Sequence, residues 1–253
     1  MRKSDRLDRV SALVQASGRI RVVQLAEQLH VSEMTVRRDL EELEEHGLIT
    51  RVHGGAISNI SRSFEPGFSA RNKLNLDAKR RIGAAAAALL RDAENVILDA
   101  GTTTLCVAES LAQDVRLRVM ALSLHIADAL AERPNINLMI PGGSVRPNER
   151  SFIGPMAIRT FEQLAFDTLV LTSGGIDTEA GVTEYEYDDA ETKWAALRSA
   201  KRTILVADGS KLGAVAFVRL CPVDQIDVVV TDRDAPTEQI QALRQAGVEV
   251  ILA

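Results

Sequence analysis

Residues 32–56 read SEMTVRRDLEELEEHGLITRVHGGA, and this stretch decides the fold of the first quarter of the chain. At helical spacing, Val36, Leu40 and Leu43 fall on one face, which is typical of a helix packed against a core. Ser32 can cap the start of this helix by accepting a backbone hydrogen bond. The residues after the helix are β-prone and end in two glycines, which indicates a tight hairpin.

Two further helices precede this stretch. Residues 6–17 place four apolar side chains on one helical face, and residues 23–29 place three there. A β-prone step at 19–22 separates them, and a turn at 30–31 leads into the third helix. Three helices with a short turn between the second and the third, followed by a hairpin, predict a winged helix-turn-helix, whose third helix lies in the major groove of DNA.

The order of charges along the third helix allows two interpretations. Arg37 and Arg38 lie in its first half, and four glutamates fill the second half. This order suits a helix that enters a DNA groove by its N-terminal end, because phosphates repel carboxylates. It also suits a solvated surface helix in which Arg38 pairs with Glu42 four residues later.

The N-terminal segment resembles the DeoR family of bacterial transcription regulators. The resemblance rests on the string S-x-x-T-V-R-R-D-L at 32–40, on its distance from the helix at 6–17, and on the hairpin that follows. It implies a DNA-binding domain whose partner is operator DNA. The matching residues are Arg6, Val10, Val14, Ser32, Thr35, Val36, Arg37, Arg38, Asp39, Leu40, Arg51, His53, Gly54 and Gly55.

The residue types suggest how this domain contacts DNA. Thr35, Arg37 and Arg38 can reach base edges or phosphates, and arginine pairs in bidentate fashion with guanine. The start of the helix favours a phosphate, and the wing can lie along the backbone or in the minor groove. Phosphate would repel Asp39, so we expect this acid to hold Arg37 or a neighbouring backbone group. The expected DNA-binding residues are Ser32, Met34, Thr35, Arg37, Arg38, Arg51, His53 and Gly54.

The length and the charge of the chain limit how it can be organised into domains and assemblies. Its 253 residues suit two domains, and a hydrophobic fraction of 46% is enough for a buried core. Residues 1–60 contain nine basic and nine acidic side chains, so the net charge of −5 lies entirely in the remainder. A neutral DNA-binding domain should bind weakly as a single copy. We therefore expect a homodimer or homotetramer that reads repeated half-sites.

Cysteine use and hydropathy indicate a cytoplasmic protein. Cys106 and Cys221 have apolar neighbours and form neither a disulfide framework nor a metal-binding pattern. The N-terminus has no apolar core of a signal peptide, and the apolar run at 84–90 is far shorter than the roughly 20 residues of a membrane span. It reads as a close-packed helix. We expect no metal, no cofactor and no membrane partner.

The remainder of the chain divides into a connection and a larger domain. Residues 58–75 lose periodicity, which predicts a linker between a DNA-binding domain at 1–57 and a second domain at 76–253. Helices and strands then alternate, which predicts an α/β fold with a mostly parallel sheet covered by helices. The predicted helices are 77–92, 102–113, 124–132, 157–165, 188–200 and 238–246, and the predicted strands are 96–99, 117–122, 137–140, 168–172, 203–207, 228–231 and 248–252.

Ligands of such sheets bind beyond the carboxyl ends of the strands. The strongest candidate is DAGTTT at 99–104, which follows a strand and opens a helix. Gly101 lets the backbone approach a ligand, and the three threonines present hydroxyl and N–H groups at a helix start, which attracts anions such as phosphate. The alternative is an ordinary strand-to-helix turn with a threonine cap.

Three other strand ends carry glycine and polar residues: PGG at 141–143, SGGID at 173–177 and DGSK at 208–211. Carboxylates here can accept hydrogen bonds from sugar hydroxyls, and Lys211 can neutralise a phosphate or pair with one of those acids. Each alone would be a turn or surface residue, but their convergence at one sheet edge favours a binding site. The expected ligand-binding residues are Asp99, Gly101, Thr102, Thr103, Thr104, Gly142, Gly143, Asp177, Glu184 and Lys211.

This second half also resembles the DeoR family over its whole length, through LDAGTTT, PGG, SGGIDTEAGVTE, ADGSKLG and VVVTD. The resemblance implies a sugar-phosphate sensor domain, similar in fold to ribose-5-phosphate isomerase, whose effector weakens operator binding. The segment TEYEYDDAETKWA is similar to the branch that responds to glycerol phosphate or related metabolites. At 121–124 the chain carries ALSL, where family members more often have Asn.

Two functions compete on these grounds. The first is a DNA-binding regulator, most simply a repressor of a sugar or polyol catabolic operon, controlled by a phosphorylated sugar or polyol. The second is an isomerase-type enzyme that uses Asp177 or Glu184 as general base together with Lys211. An isomerase has no use for the motif at 32–38, so we predict a regulator and not an enzyme. A structural scaffold would bind neither ligand nor operator.

Overall fold

The computed structural model describes residues 3–45, 48–58 and 66–253. The chain forms two compact units, Met1–Asn75 and Leu76–Ala253, and each is described by itself. The described part of the predicted linker belongs to the first unit, where Leu74 packs against the core and the backbone N–H of Asn75 donates to Asp8. The linker boundaries remain a prediction, and residues 59–65 of it lie outside the described ranges.

The first unit is a three-helix core with a small antiparallel sheet of order β1-β3-β2. Its elements are α1 (Lys3–Ser17), β1 (Arg19–Arg21), α2 (Val22–Leu29), α3 (Glu33–Glu45), β2 (Ile49–Val52), β3 (Gly55–Ser58) and α4 (Phe68–Arg71). Strands β2 and β3 form the wing hairpin. Helix α4 falls in the stretch that lacks periodicity and was not expected.

The sequence pattern explains why α3 forms and how it packs. Val36, Leu40 and Leu43 are buried to 1% exposure or less, as their spacing predicts. The Ser32 hydroxyl accepts a hydrogen bond from the backbone N–H of Thr35 at 3.2 Å, which satisfies one free donor of the helix start. His30 adopts a left-handed conformation, φ 54°, which makes the tight turn after α2. The predicted winged helix-turn-helix is confirmed.

The second unit is built on a seven-stranded sheet of order β15-β14-β12-β9-β4-β5-β6, in which every neighbouring pair is parallel. Its helices are α5 (Leu76–Ala87), α6 (Thr102–Glu109), α7 (Leu124–Leu130), α8 (Pro155–Gln163), α9 (Tyr187–Ser199) and α10 (Thr237–Gln245). Its strands are β4 (Asn95–Leu98), β5 (Leu117–Ala121), β6 (Ile136–Met139), β7 (Ser144–Val145), β8 (Phe152–Ile153), β9 (Phe166–Leu171), β10 (Gly175–Asp177), β11 (Gly181–Glu184), β12 (Ala200–Val206), β13 (Val218–Cys221), β14 (Val228–Thr231) and β15 (Glu249–Leu252).

Helices cover both faces of this sheet. Because both faces of its strands are then buried, the strands are continuous apolar runs. Alternation along β4 shows the two layers: Ile97 belongs to the core shared with α9 and α10, whereas Val96 and Leu98 belong to the core shared with α5, α6 and α7. The expected α/β fold class, a winged helix-turn-helix followed by a larger mostly parallel unit, is confirmed. No helix in the described ranges is long and apolar enough to cross a membrane.

Some elements differ from the sequence predictions. The helix expected over 77–92 ends at Ala87, where Leu89 and Leu90 continue in a tighter turn that bonds to Ala86 and Ala87. The antiparallel sheet β10-β11-β13 and the hairpin of β7 and β8 were not predicted. Their strands have two to four residues, too few for alternation to be recognised.

Strand order locates the place where a ligand would bind. The chain runs from β4 outward to β5 and β6, then returns to β9 on the other side of β4 and continues to β12, β14 and β15. The connections that follow β4 and β9 therefore lead in opposite directions along the sheet. Between them, at the carboxyl edge, we expect a crevice, which we call the switch-point crevice. This is the topological switch point at which open α/β sheets bind ligands.

Candidate functional site

Arg38 is the free cation of the third helix. It is exposed and has neither a hydrogen bond nor an ion pair with any described residue. The alternative in which it pairs with Glu42 is not formed, because Glu42 pairs with Lys3 at 2.6 Å. Arg37 is also exposed, and its guanidinium lies 3.4 Å from Glu33, a loose surface pair that contributes little to stability. Both arginines are therefore available to a partner.

The start of α3 presents a further set of side chains. Met34 is 61% exposed, and Thr35 is half-buried. The hydroxyls of Ser32 and Thr35 lie 2.9 Å apart, so the cap is held in place before any partner binds. The four residues Ser32, Met34, Thr35 and Arg38 thus share the N-terminal half of the helix, as expected.

Arg51 has a structural role that the sequence did not reveal. Its guanidinium bonds Glu41 and Glu44, each at 2.7 Å, and its backbone N–H donates to Glu44 at 2.7 Å. These bonds tie the wing to α3, and they lower the pKa of Glu44, chiefly through the backbone donor. Arg51 would have to leave both glutamates to lie on DNA. The other predicted wing residues, His53 and Gly54, are exposed at the hairpin turn.

The wing turn also borders a cleft that sequence reasoning missed. A cavity of about 580 Å³ lies between the turn and β1. Three of its side chains are basic. Strand β1 has only three residues, too few for an alternating pattern to predict that these side chains line a cleft. The lining residues are Arg19, Ile20, Arg21, Gln24, His53, Gly54 and Gly55.

The expected partner of Asp39 was wrong. Asp39 is 1% exposed and accepts two hydrogen bonds from Arg6 of α1, at 2.6 and 3.0 Å. It does not hold Arg37, because Asp39 points into the core while Arg37 points outward. The pair raises the pKa of Arg6, first through the side-chain hydrogen bond. The acid is structural, as expected, but it joins α3 to α1.

The centre of the switch-point crevice is a buried carboxylate, Asp99. Its Oδ2 accepts hydrogen bonds from the backbone N–H and the hydroxyl of Thr172, at 2.9 and 2.8 Å. The same oxygen lies 2.9 Å from the ammonium of Lys193, and Oδ1 accepts from the backbone N–H of Ala100. Asp99 therefore joins the ends of β4 and β9 to α9.

Lys193 is a residue of the candidate site that the sequence did not indicate. It is 4% exposed and bonds Asp99, the carbonyl oxygen of Thr172 at 3.1 Å, and Glu184 at 2.5 Å. Burial opposes its charge, but the two carboxylates outweigh burial and raise its pKa. Glu184 also accepts from the backbone N–H of Tyr185. Both acids are buried and pair with Lys193, so the structure gives them a role inside the protein beside the sugar contacts expected of them.

The loop from Asp99 into α6 matches its expected geometry. A Cβ on Gly101 would lie 2.7 Å from the Thr172 hydroxyl, so only glycine fits this approach. Thr104 caps the loop by donating to the carbonyl oxygens of Asp99 and Gly101. Thr102 and Thr103 are nearly buried at the helix start, where the first N–H groups have no acceptor within the helix.

The other expected strand ends lie along the same edge but are spread out. Gly142 and Gly143 follow β6, and Lys211 follows β12, which is four strand spacings away, or roughly 19 Å at about 4.8 Å each. The ends of these two strands are therefore too far apart for one small ligand to contact both. Gly142 and Gly143 have φ of 74° and 97°, and a Cβ on Gly143 would lie 2.5 Å from the carbonyl oxygen of Ile153. Both glycines are needed for the turn itself.

The remaining expected residues differ in their positions. Lys211 lies over the ring of Tyr185, 5.4 Å from its centroid, and that ring would touch a Cβ on Gly174 at 2.8 Å. Lys211 is thereby directed back toward the end of β9. Asp177 instead closes the turn between β10 and β11, where its Oδ1 accepts from the N–H groups of Glu179 and Ala180.

Charged residues also lie at the end of β12. Asp208 is 4% exposed, and burial would raise its pKa, but the charge of Lys79 and hydrogen bonds from Ser210 lower it. Within the described ranges, no three His, Cys, Asp or Glu side chains gather as a metal site would require. Chemically, the arrangement suits an anion at the start of α6, beside the buried ion pairs of Lys193 with Asp99 and Glu184, which we call the ion-paired floor.

Comparisons with known proteins agree with both units. The family model of the DeoR-like helix-turn-helix domain matches residues 6–62, and that of the DeoR C terminal sensor domain matches residues 74–233. The HTH-type transcriptional regulator GlpR of Haloferax volcanii is 35% identical over 251 residues, which cover 99% of this chain and 98% of that protein. The glycerol-3-phosphate regulon repressor of Escherichia coli K12 is 30% identical over 252 residues, which cover 100% of both chains.

Among solved structures, ribose 5-phosphate isomerase A from Methanocaldococcus jannaschii covers 54% of this chain and 54% of its own, with a TM-score of 0.41 and 13% identity. This TM-score is too low to support a fold assignment, so the fold class rests on the strand order of the protein itself. The two relatives are named as a regulator and a repressor, which does not favour the enzyme alternative. The chain belongs to the DeoR family of transcriptional regulators.

Proposed function

We propose that this protein represses a sugar or polyol catabolic operon and leaves its operator when a phosphorylated sugar or polyol binds the switch-point crevice. The proposal rests on the start of α6, which Gly101 caps directly after β4, two residues from the buried pair of Asp99 and Lys193. Helix starts bind phosphates through free N–H groups and the helix dipole. A related repressor is named for a glycerol-3-phosphate regulon, which supports this effector class.

The proposed contacts with DNA and the proposed contacts with the effector involve separate sets of residues. On DNA, Arg37 and Arg38 read bases and the cap at Ser32 and Thr35 meets a phosphate, with Met34 beside them, while His53 and Gly54 approach the backbone. Arg51 joins them only if it leaves its glutamates. In the crevice, the proposed contacts of the effector are Gly101, Thr102, Thr103, Thr104 and Lys211, whereas Asp99 and Glu184 act through Lys193, and Gly142, Gly143 and Asp177 shape the edge.

Assembly and location follow from the same proposal. A neutral DNA-binding unit gains affinity from repetition, so we propose a homodimer or homotetramer that reads repeated half-sites. Operator binding places the protein in the cytoplasm, with operator DNA and the phosphorylated effector as its partners. Sedimentation velocity on the full chain gives the assembly state, and a monomer at micromolar concentration on a repeated operator would contradict this part of the proposal.

Coupling between the sites requires that the effector bind one arrangement of the assembled subunits more tightly than the other. A ligand shifts such an equilibrium only by its difference in affinity, typically about 1–3 kcal/mol. Release of DNA is then a redistribution between two arrangements, and saturating DNA weakens effector binding by the same factor.

The DNA-binding half is tested by selecting operator sequences from a random duplex library and measuring fluorescence anisotropy. Arg38→Ala should weaken the selected operator about 5- to 150-fold per half-site, since a base-reading arginine contributes roughly 1–3 kcal/mol. Arg91→Ala, which removes an exposed arginine of the second unit, is the matched control and should bind normally. Equal affinities of the two variants would place the reading surface elsewhere.

The effector half is tested by releasing the bound operator with glycerol 3-phosphate, ribose 5-phosphate and fructose 6-phosphate. Thr103→Glu puts a carboxylate where the phosphate would lie, so the variant should keep operator DNA and ignore every compound that releases the parent protein. Thr103→Gln has the same shape without the charge and should respond partially. If Thr103→Glu releases DNA at the parent protein's effector concentration, the proposed crevice is wrong.

A further inference from the structure

Two buried polar groups near the crevice have no hydrogen-bond partner in the described part of the chain. They are the hydroxyl of Ser173, which follows β9, and the Nε–H of Arg146, in the loop after β7. Ser173 is 8% exposed. Buried donors and hydroxyls are almost always satisfied, so each exception needs a reason, such as a ligand that completes it.

Ser173 is close in the chain to the ion-paired floor. By alternation, Leu169 and Leu171 of β9 face the core shared with α9, and Ser173 follows just past the end of this strand. The same counting along β4 directs Asp99 there, which its contact with Lys193 confirms. The preceding residue, Thr172, gives its carbonyl oxygen to Lys193. Ser173 therefore lies at the end of β9 next to the Lys193 contact.

Arg146 is brought to the same side by the loop that follows the two glycines. Its guanidinium Nη2 lies 2.5 Å from Asp189 Oδ2, and the hydroxyl of Ser151 donates to the other oxygen of Asp189 at 2.7 Å. Residue 151 also bridges the end of β5 at Ser123. The loop thus folds back from the sheet edge toward α9, although Gly142 and Gly143 stay at the edge.

Helix α9 connects the two groups. Asp189 and Lys193 are four residues apart, one helical turn of about 6 Å, on the same face. Asp189 holds Arg146, and Lys193 holds the residue before Ser173. One unsatisfied group thus belongs to a residue held by α9, the other directly follows such a residue, and the two contacts with α9 are one helical turn apart.

The charges decide which end of the effector lies here. On this side, three acids, Asp99, Glu184 and Asp189, pair with the two cations Lys193 and Arg146, so neither cation is left for a phosphate. Arginine Nε–H only donates, whereas a serine hydroxyl donates and accepts. A carbon chain with hydroxyls meets both needs, since each hydroxyl is donor and acceptor. The phosphate then lies at the start of α6.

We propose that Arg146 and Ser173 bind the hydroxylated carbon chain of the effector and set which phosphorylated sugar or polyol the protein accepts. This inference rests on the proposed effector site and adds its specificity-determining side. Ser173 donates to or accepts from one hydroxyl, and Arg146 donates its Nε–H to another while Asp189 keeps its guanidinium in place.

Calorimetry on the full-length protein tests the inference with four probes: glycerol 3-phosphate, ribose 5-phosphate, fructose 6-phosphate and inorganic phosphate. Arg146→Lys keeps a cation for Asp189 but removes the Nε–H, and Ser173→Ala removes one hydroxyl. Each variant should weaken the tightest organic phosphate at least 10-fold and change the order of the three. Affinity for inorganic phosphate should change less than 2-fold. Arg159→Lys, at an exposed position of α8, is the control.

The melting temperature is a second measurement, and it distinguishes a loss of effector recognition from a loss of folded structure. Ser173→Ala removes an unsatisfied buried hydroxyl, so the ligand-free variant should melt at the same temperature as the parent protein or higher. If Arg146→Lys does not fold, Ser173→Ala alone decides. The inference is overturned if both variants bind every probe as the parent does, or if inorganic phosphate weakens as much as the organic phosphates. If the parent protein binds an organic phosphate and Thr103→Glu does not, the proposed function stands even when this inference fails. If the parent protein binds none of the probes, the inference and the proposed function are both overturned.

Discussion

Lys193→Met is the substitution that tests the floor of the crevice most directly. Methionine keeps most of the length of the side chain, but it leaves the buried carboxylates of Asp99 and Glu184 without their cation. Breaking a buried ion pair by removing one partner costs about 3–5 kcal/mol. Asp99 keeps its bonds from Thr172 and Ala100, so we expect a total loss of about 4 kcal/mol, toward the middle of that range.

Urea unfolding measures this loss. With a slope of about 2 kcal/mol per molar urea, the midpoint should fall by about 2 M. The only tryptophan, Trp194, lies next to the substituted residue on α9 and reports unfolding of this unit. Lys201→Met is the matched control, because Lys201 is 78% exposed in its pair with Asp167 and such pairs contribute less than about 1 kcal/mol.

The dependence on pH follows from the direction of the pKa shift. The folded pKa of Lys193 is raised above its usual 10.5, so its contribution is fully present below pH 10.5 and is lost only as pH rises through the higher folded value. The parent protein should therefore show no Lys193-dependent change in stability between pH 6 and 9.

A triple variant distinguishes unpaired charge from lost packing. Combining Lys193→Met with Asp99→Asn and Glu184→Gln removes the uncompensated charges and should recover more than half of the lost stability. A midpoint shift below about 0.5 M for the single variant, or a triple variant no more stable than the single one, would refute the reasoning.

Three other substitutions or treatments have expected outcomes. Asp39→Asn should lower the stability of the first unit by about 1–3 kcal/mol in thermal melts, because it weakens the charge-assisted bonds from Arg6. Gly101→Ala should lower the stability of the second unit by about 1–3 kcal/mol in urea, since its Cβ would lie 2.7 Å from the Thr172 hydroxyl. Native Cys221 should resist iodoacetamide at pH 8, because burial raises its thiol pKa to about 11.

Each of these outcomes has a control within the chain. Glu42→Gln weakens the surface pair with Lys3 and a minor attraction to Arg6, so it should change the melting temperature less than Asp39→Asn, and equal effects would contradict the role of the buried pair. Gly67→Ala adds a Cβ in open space and should be tolerated. Alkylation of the cysteine should become rapid in urea, and rapid labelling of the native protein would show that the thiol is accessible.

Local patterns in the sequence were sufficient to predict the main architecture of the two units. The spacing of Val36, Leu40 and Leu43 and the cap at Ser32 specify α3, because helical periodicity records which face meets a core. The alternation of apolar strands with helices specifies a parallel sheet, since parallel strands need long crossovers. The string at 99–104 marks a strand end, because glycine at that point permits close backbone approach.

Tertiary structure alone decided the contacts that join distant residues. Arg6 lies 33 positions from Asp39, and the carbonyl oxygen of Thr172 lies 21 positions from Lys193, so no local periodicity links them. Strand order decided that the strands before PGG and DGSK end four strand spacings apart, although both motifs follow strands. Spacing along a chain reports the face on which a side chain lies, whereas its partner depends on which faces pack together, and that is set only when the whole unit folds.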